Sequence, residues 1–167
     1  TFVLGTVSNF HKNIYTYVLK GHIAVNNFNL TDKTRGQEVD KKARLFLKKY
    51  GKNYNHGTGH GIGYFLNVHE TPPNISSNSK TKFFERQIMS NEPGYYKEKH
   101  FGVRLENMMM VKKEKNKKYF ENLTLVPFDK NGLNTKLLSK KEVKWINNYH
   151  KKVFKNLNKF LNLNEKN

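Results

Sequence analysis

The stretch HGTGHGIG, at residues 56–63, decides how this sequence is interpreted. Its glycines would each cost a helix about 1 kcal/mol relative to alanine, so we predict loop and strand here. His56 and His60 have the spacing of zinc proteases that bind a metal with two histidines of one helix, but the glycines and the lack of a glutamate directly after His56 rule that out. In an extended segment, residues at even spacing share a face, so both histidines can line one cavity.

Three further groups extend this pattern towards a metal site. His69 follows shortly after, and Glu92 and Glu106 stand among apolar, strand-like residues, where a buried carboxylate is costly unless it is paired or bound to a cation. Histidines that only bond to backbone, and a structural pair between Glu106 and Arg104, are the competing interpretations. Neighbouring residues on a strand point to opposite faces, so we expect Arg104 to contact a different carboxylate. The combination favours a metal site.

Composition limits the class of protein and the kind of ion. The chain has 167 residues, 36% of them hydrophobic, which suits one folded domain rather than a disordered chain. With no cysteine, histidine and carboxylate ligands remain, which suit Mn, Fe, Co or Zn and favour Mn in this oxygen-rich set. No run is apolar enough to cross a membrane, so we expect no membrane partner. Targeting cannot be judged from a start that lacks Met, so a cytoplasmic location is our default expectation, with organelle or vacuole targeting left open.

The net charge of +18 raises nucleic-acid binding as a possibility. The lysines are spread over many segments, and no basic motif interleaved with aromatic residues is present. We therefore predict no nucleic-acid partner.

Hydrophobic periodicity and turn residues predict alternating helices and strands. Ser8 is placed to cap a first helix, and Ser139 with Glu142 forms a capping-box pattern for a last helix, whose end should fray beyond Leu163. The other predicted elements are an N-terminal strand, a helix from about 37 to 50, an exposed loop at 71–82, strands at 87–91, 102–111 and 123–127, and a solvated hairpin connection at 112–118.

Four segments together resemble consecutive active-site segments of the M24 metallopeptidases, and most closely those of the eukaryotic aminopeptidase P (Xaa-Pro aminopeptidase) group: HGTGHGIGYFLNVHETP, NEPGYY, GVRLENMMMV and LTLVP. The resemblance implies an α+β pita-bread fold, of which this chain would be the C-terminal portion. It also implies that residues 1–128 belong to the catalytic domain, and that residues 129–167 form an extension with a terminal helix.

The resemblance further implies roles for single residues. His60 and Glu92 would be ligands of one Mn ion and Glu106 a carboxylate bridging two, with Zn or Co possible instead. His56 and His69 would orient the substrate and stabilise the transition state, while Arg104 would brace the carboxylates. The implied reaction is attack by a hydroxide bridging two Mn ions on the carbonyl before a proline at the second position of a peptide, with Glu92 shuttling the proton.

The resemblance leaves the centre incomplete. In the family, two Asp ligands and another histidine lie just upstream of the segment that Thr1 matches, so we expect this chain to be a fragment, inactive alone, whose missing ligands come from the upstream part of the enzyme. The family also suggests a homodimer with the terminal helix at its contact. The alternatives are another M24 peptidase (a methionyl aminopeptidase or a prolidase) and a pita-bread module that binds a partner without catalysis.

Overall fold

A computed structural model describes residues 2–65 and 67–162, and this part of the chain contains three α-helices and seven strands. The helices are α1 (Asn9–Asn26), α2 (Gly36–Lys48) and α3 (Lys140–Leu157). The strands are β1 (Gly59–Gly61), β2 (Glu70–Ile75), β3 (Ile88–Asn91), β4 (Gly94–Lys97), β5 (Phe101–Arg104), β6 (Asn107–Glu114) and β7 (Lys117–Asn122). Short 3₁₀ turns precede and follow α3. In the described part, no helix is long and apolar enough to cross a membrane.

The predicted caps fix the ends of two helices. The Ser8 side chain accepts a hydrogen bond from the backbone N–H of His11, which satisfies one of the free donors at the start of α1. At α3, Ser139 and Glu142 satisfy each other's backbone N–H groups in a capping box, as the sequence predicted. Gly51 adopts a positive φ just after α2, a conformation that glycine takes without strain.

Five strands form one antiparallel sheet in the order β2-β1-β3-β6-β7, and β4 pairs with β5 in a separate two-stranded sheet. The last pair of β3 and β6 joins Asn91 to Asn107, and the first pair of β4 and β5 joins Gly94 to Arg104. The two chain segments that connect the large sheet to the small one, between β3 and β4 and between β5 and β6, therefore lie side by side. We call this place, residues 92–93 and 105–106, the sheet junction.

The core lies on both sides of α1. One buried cluster joins α1 to α3 and β5, with Val18, Leu19, Leu105 and Tyr149 among its members. A second cluster fills the space between the helices and the large sheet, and its members are Val25, Leu30, Val39, Ala43, Ile75, Phe83, Met89, Met109, Val111 and Phe120. Because α1 contributes to both clusters, it holds the large sheet, the small sheet and α3 in fixed relation.

Several sequence predictions about local structure are wrong. The described residues 2–7 form no strand, and the expected loop at 71–82 contains most of β2. Prolines are tolerated in β2 because it lies at the edge of its sheet. The single strand expected at 102–111 is two strands separated by the sheet junction, the strand at 123–127 does not form, and β4 and β7 were not predicted. The expected fraying beyond Leu163 lies outside the described residues.

Candidate metal centre

Glu92 lies at the sheet junction and is the best-anchored acid of the predicted site. Its backbone N–H donates to the carbonyl oxygen of Thr58 at 2.8 Å, and its side chain is only 9% exposed. The Ser90 hydroxyl donates to Oε1 of Glu92 at 2.9 Å and accepts from the backbone N–H of His60 at 3.0 Å. These contacts fix one carboxylate oxygen beside β1.

His60 faces this carboxylate through Nε2, which lies 3.2 Å from Oε1 of Glu92. Its other nitrogen, Nδ1, lies 2.8 Å from the carbonyl oxygen of Gly61 and donates to it. A neutral imidazole bonded in this way turns the lone pair of Nε2 towards a carboxylate oxygen. Two acceptors at that distance need a proton or a cation between them, and a histidine that donates to a backbone carbonyl through its second nitrogen is the usual arrangement of a metal ligand.

The other predicted residues lie around this pair. The rings of His60 and His69 lie 4.2 Å apart, and His69 is exposed. Nη1 of Arg104 lies 3.5 Å from Oε2 of Glu92, so the structure pairs Arg104 with this acid. His56 lies in the loop before β1 rather than on a strand, so the shared face predicted for His56 and His60 is not what brings them together.

Tyr96 connects two of these groups and was not predicted. Its hydroxyl accepts from Nε of Arg104 at 2.8 Å and lies 3.0 Å from Nε2 of His56. Burial works to lower the pKa of Arg104, but the hydrogen bond to Tyr96 and the charges of Glu92 and Glu106 together raise it. Arg104 therefore stays charged and steadies the cluster. The position of Tyr96 four residues after Glu92, in NEPGYY, was the only signal in the sequence.

Glu106 lies at the other side of the sheet junction and is accessible to solvent. Partial burial and the negative charge of Glu92 raise the pKa of Glu106, although Arg104, His60 and His56 act to lower it. The predicted ligands thus share one electrostatic environment. They are only partly assembled, because among residues 2–65 and 67–162 no three His, Asp or Glu side chains come close enough to hold a metal ion by themselves.

A buried ion pair on α2 holds the loop that carries His56. Nε of Arg44 donates to Asp40 at 2.7 Å, and its terminal nitrogens donate to the carbonyl oxygens of Tyr54 and His56 at 2.6 and 2.7 Å. Asp40 also accepts from the Thr58 hydroxyl at 2.6 Å. From the sequence, Asp40 had no evident partner. Only its spacing of four residues from Arg44 on a helix pointed to this pair.

The donors fit a hard or borderline divalent cation. One imidazole nitrogen faces a buried carboxylate, and a second carboxylate lies near enough for its protonation to respond to the first. Oxygen and imidazole donors of this kind suit Mn, Fe, Co or Zn. A complete centre needs further donors or a closer approach of Glu106.

Comparison with known proteins identifies the class to which this fold and site belong. The model of metallopeptidase family M24 matches residues 1–113, and the model of the C-terminal region of peptidase M24 matches residues 118–167. The chain belongs to the M24 metallopeptidase family. The predicted α+β pita-bread fold is confirmed by its structural neighbours.

Individual relatives show which M24 peptidases the chain is similar to. The chain is 42% identical to a probable Xaa-Pro aminopeptidase P of Arthroderma gypseum, over 99% of this chain and 28% of that protein. The crystal structure of X-prolyl aminopeptidase from Caenorhabditis elegans, described as a cytosolic enzyme with a di-nuclear active site, matches with a TM-score of 0.86 and 34% identity, over 93% of this chain and 26% of that one. The prolidase of Pyrococcus horikoshii matches less well, with a TM-score of 0.64 and 31% identity over 74% of this chain and 34% of that one.

The predicted resemblance to aminopeptidase P is therefore confirmed. The chain spans about a quarter of the length of the relatives that it matches, 28% of one and 26% of another. The activity of those whole proteins comes to this chain only as a proposal.

Proposed function

We propose that this chain provides part of the active site of a metal-dependent aminopeptidase that releases the first residue from peptides with proline at the second position. The observation that carries the proposal is Nε2 of His60 facing the buried carboxylate of Glu92 at 3.2 Å, with Arg104 against the other oxygen. A peptidase activity of this kind matches the names of the relatives.

In this proposal, His60, Glu92 and Glu106 would hold two divalent ions, which we propose to be Mn. Bound divalent ions lower the pKa of water and polarise a carbonyl group, which is the chemistry that amide hydrolysis requires. A C. elegans relative described as having a di-nuclear active site supports the number of ions. The choice of Mn rests on the oxygen-rich donor set.

The side chains of this chain then handle protons and the substrate. Glu92 accepts the proton of the attacking water and passes it to the leaving nitrogen, a role suited to a carboxylate held by Ser90 and Arg104. His69 is exposed beside His60, where it can donate to the developing oxyanion. His56, held by Tyr96, orients the peptide.

We further propose that the remaining donors, two Asp and one His, come from the upstream part of the same enzyme. The described residues lack a three-donor cluster of their own, and the relatives are much longer than this chain. A cytosolic location follows the description of the C. elegans enzyme. The proposed division into residues 1–128 and an extension at 129–167 places α3 in the extension.

We also propose a homodimer with α3 at its contact, for which one aromatic residue of the helix is exposed. Tyr149 is buried within the chain and Trp145 stacks on it at 5.4 Å, so these two rings serve intramolecular packing. Phe154 is 52% exposed on the same helix and is free to meet a second copy. Sedimentation equilibrium of wild type and Phe154→Ser measures this directly, and identical monomeric behaviour of both contradicts the dimer.

The function is tested by Mn binding and by peptide cleavage. The 167-residue chain is compared alone and joined to the corresponding upstream segment of an aminopeptidase P relative. We expect weak Mn binding and no turnover alone, and cleavage of Xaa-Pro peptides by the joined form. Glu92→Gln should abolish that turnover, whereas Glu98→Gln, at an exposed acid in the turn between β4 and β5, is the matched control.

The outcomes separate the candidate functions. Robust turnover by the isolated chain contradicts the need for upstream donors. Cleavage restricted to Xaa-Pro dipeptides indicates a prolidase, and preference for an N-terminal methionine indicates a methionyl aminopeptidase. A joined form that folds but binds no Mn supports a non-catalytic binding module instead.

A further inference from the structure

A buried histidine of α1, His22, contacts both chain segments that carry the predicted carboxylate ligands. Its side chain is 0% exposed and packs edge-on against Phe128 and Trp145, with ring centroids 5.2 and 6.2 Å away. Nδ1 of His22 lies 3.1 Å from the carbonyl oxygen of Leu105 and donates to it. The carbonyl oxygen of His22 accepts a hydrogen bond from Nδ2 of Asn91 at 3.1 Å.

The two residues that His22 contacts by hydrogen bonds stand directly before the predicted ligands in the sequence. Asn91 is the residue before Glu92, and Leu105 is the residue before Glu106. The two segments run through the sheet junction, where the ladder of the large sheet has ended and that of the small sheet has not begun. One residue of α1 thus contacts both segments, through its ring on the Leu105 backbone and through its own main-chain carbonyl on the Asn91 side chain.

A buried histidine with an unpaired ring nitrogen costs free energy of folding, which is unexpected at a position that serves packing alone. Burial lowers the pKa of His22 to about 4, although the backbone groups of Leu105 and Asn91 act to raise it, so the ring is neutral near pH 7. Within the described part of the chain, Nε2 of His22 and Oδ1 of Asn91 are buried without a hydrogen-bond partner. Buried polar atoms without partners destabilise a fold. An apolar residue at this place would remove the unpaired Nε2 but would take away the donor that the Leu105 carbonyl now has.

We propose that His22 is a positioning residue that sets the separation of Glu92 and Glu106. The inference rests on the proposed function, in which those two carboxylates bind metal. Metal sites tolerate errors of only a few tenths of an ångström in ligand position, and residues that orient ligands from behind contribute strongly to metal affinity. The His22 ring fixes the backbone before Glu106, while the main chain of the same residue holds the side chain before Glu92, so the ring sets where the Glu106 segment lies relative to the Glu92 segment.

The test compares His22→Phe, which keeps a ring but loses the donor, with His22→Gln, which keeps a donor. Val18→Ala is the matched control, since Val18 is a fully buried residue one turn earlier on α1. Three quantities are measured for the chain, both alone and joined to the upstream segment. They are Mn²⁺ affinity by titration, the unfolding midpoint, and hydrogen exchange of the backbone amides of Glu92 and Leu105.

We expect His22→Phe to change the unfolding midpoint little while it weakens Mn²⁺ binding roughly 10- to 100-fold and speeds exchange at the Leu105 amide. The Glu92 amide, which bonds to the Thr58 carbonyl, should keep its exchange rate. His22→Gln should recover most of the affinity. Val18→Ala should lower the midpoint and leave Mn²⁺ affinity unchanged. If His22→Phe does not fold, His22→Leu takes its place in the same comparison.

The proposal is overturned if His22→Phe binds Mn²⁺ as wild type does with unchanged exchange, or if affinity falls only in proportion to stability across all variants. Failure of the proposed function gives a different result, because wild type itself then binds no Mn²⁺. In that case the exchange of the Leu105 amide still decides whether the His22 ring holds the segment before Glu106.

Discussion

Acidification should destabilise this protein through His22, and the size of the effect follows from its burial. The pKa of His22 is lowered to about 4 in the folded protein from an ordinary value of 6.5, chiefly by burial. The unfolded chain therefore binds this proton first. The folded protein has its full stability with respect to this group above about pH 6.5 and loses stability as the pH falls towards 4, because the unfolded chain takes up the proton. A difference of this size corresponds to about 3 kcal/mol in the free energy of unfolding.

The assay is urea unfolding at about pH 7, 5.5 and 4 for wild type and His22→Phe. Wild type should lose about 3 kcal/mol more than the variant over this range. Other groups titrate nearby: burial also lowers the pKa of His150, which adds acid sensitivity, whereas burial and Glu92 raise the pKa of Glu106, which acts in the opposite direction. Both are present in each protein, so the difference between the curves isolates His22. Parallel curves would refute the reasoning.

Three further substitutions test other parts of the structure by urea unfolding. Arg44→Met leaves Asp40 buried without its partner and should cost about 3–5 kcal/mol, and a loss below 1 kcal/mol would speak against the pair's role. Tyr149→Phe removes the hydroxyl that donates to the Val126 carbonyl at 2.9 Å and should cost about 1 kcal/mol; no change would mean that this bond adds nothing. Gly21→Ala places a Cβ 2.3 Å from a backbone oxygen of α2 and should cost about 1–3 kcal/mol, so a neutral result would contradict the close helix contact.

Local rules predicted the helices well because their signals are local. Ser8, Ser139 and Glu142 act within a turn of where they stand, so the sequence alone predicted where α1 and α3 begin. Strands were predicted less well, since pairing partners lie far apart in sequence. Because β2 contains two prolines, its sequence predicted a loop. The strand forms because a strand at the edge of a sheet tolerates residues that lack a backbone N–H.

The sheet junction shows why the site was only partly predictable. GVRLEN read as one continuous strand, and its division into β5 and β6 depends on β3 and β4 breaking at the same level. The sequence pointed to the acids and histidines through residue type and spacing. It gave no signal for Ser90 and little for Tyr96, because their contacts arise only when separate segments meet.

The same junction explains why the charge of Glu92 acts on Glu106. Where both segments pass between the two sheets, the backbone at Glu92 and Glu106 lies outside the strand ladders. The two side chains therefore share one electrostatic environment. Their mutual repulsion contributes to the raised pKa of Glu106, and Arg104 offsets it only in part. A cation between the two acids would remove the electrostatic repulsion that Arg104 does not offset. Folding of the junction and binding of a divalent ion should therefore stabilise each other, so that added Mn²⁺ raises the unfolding midpoint of wild type more than that of Glu106→Gln.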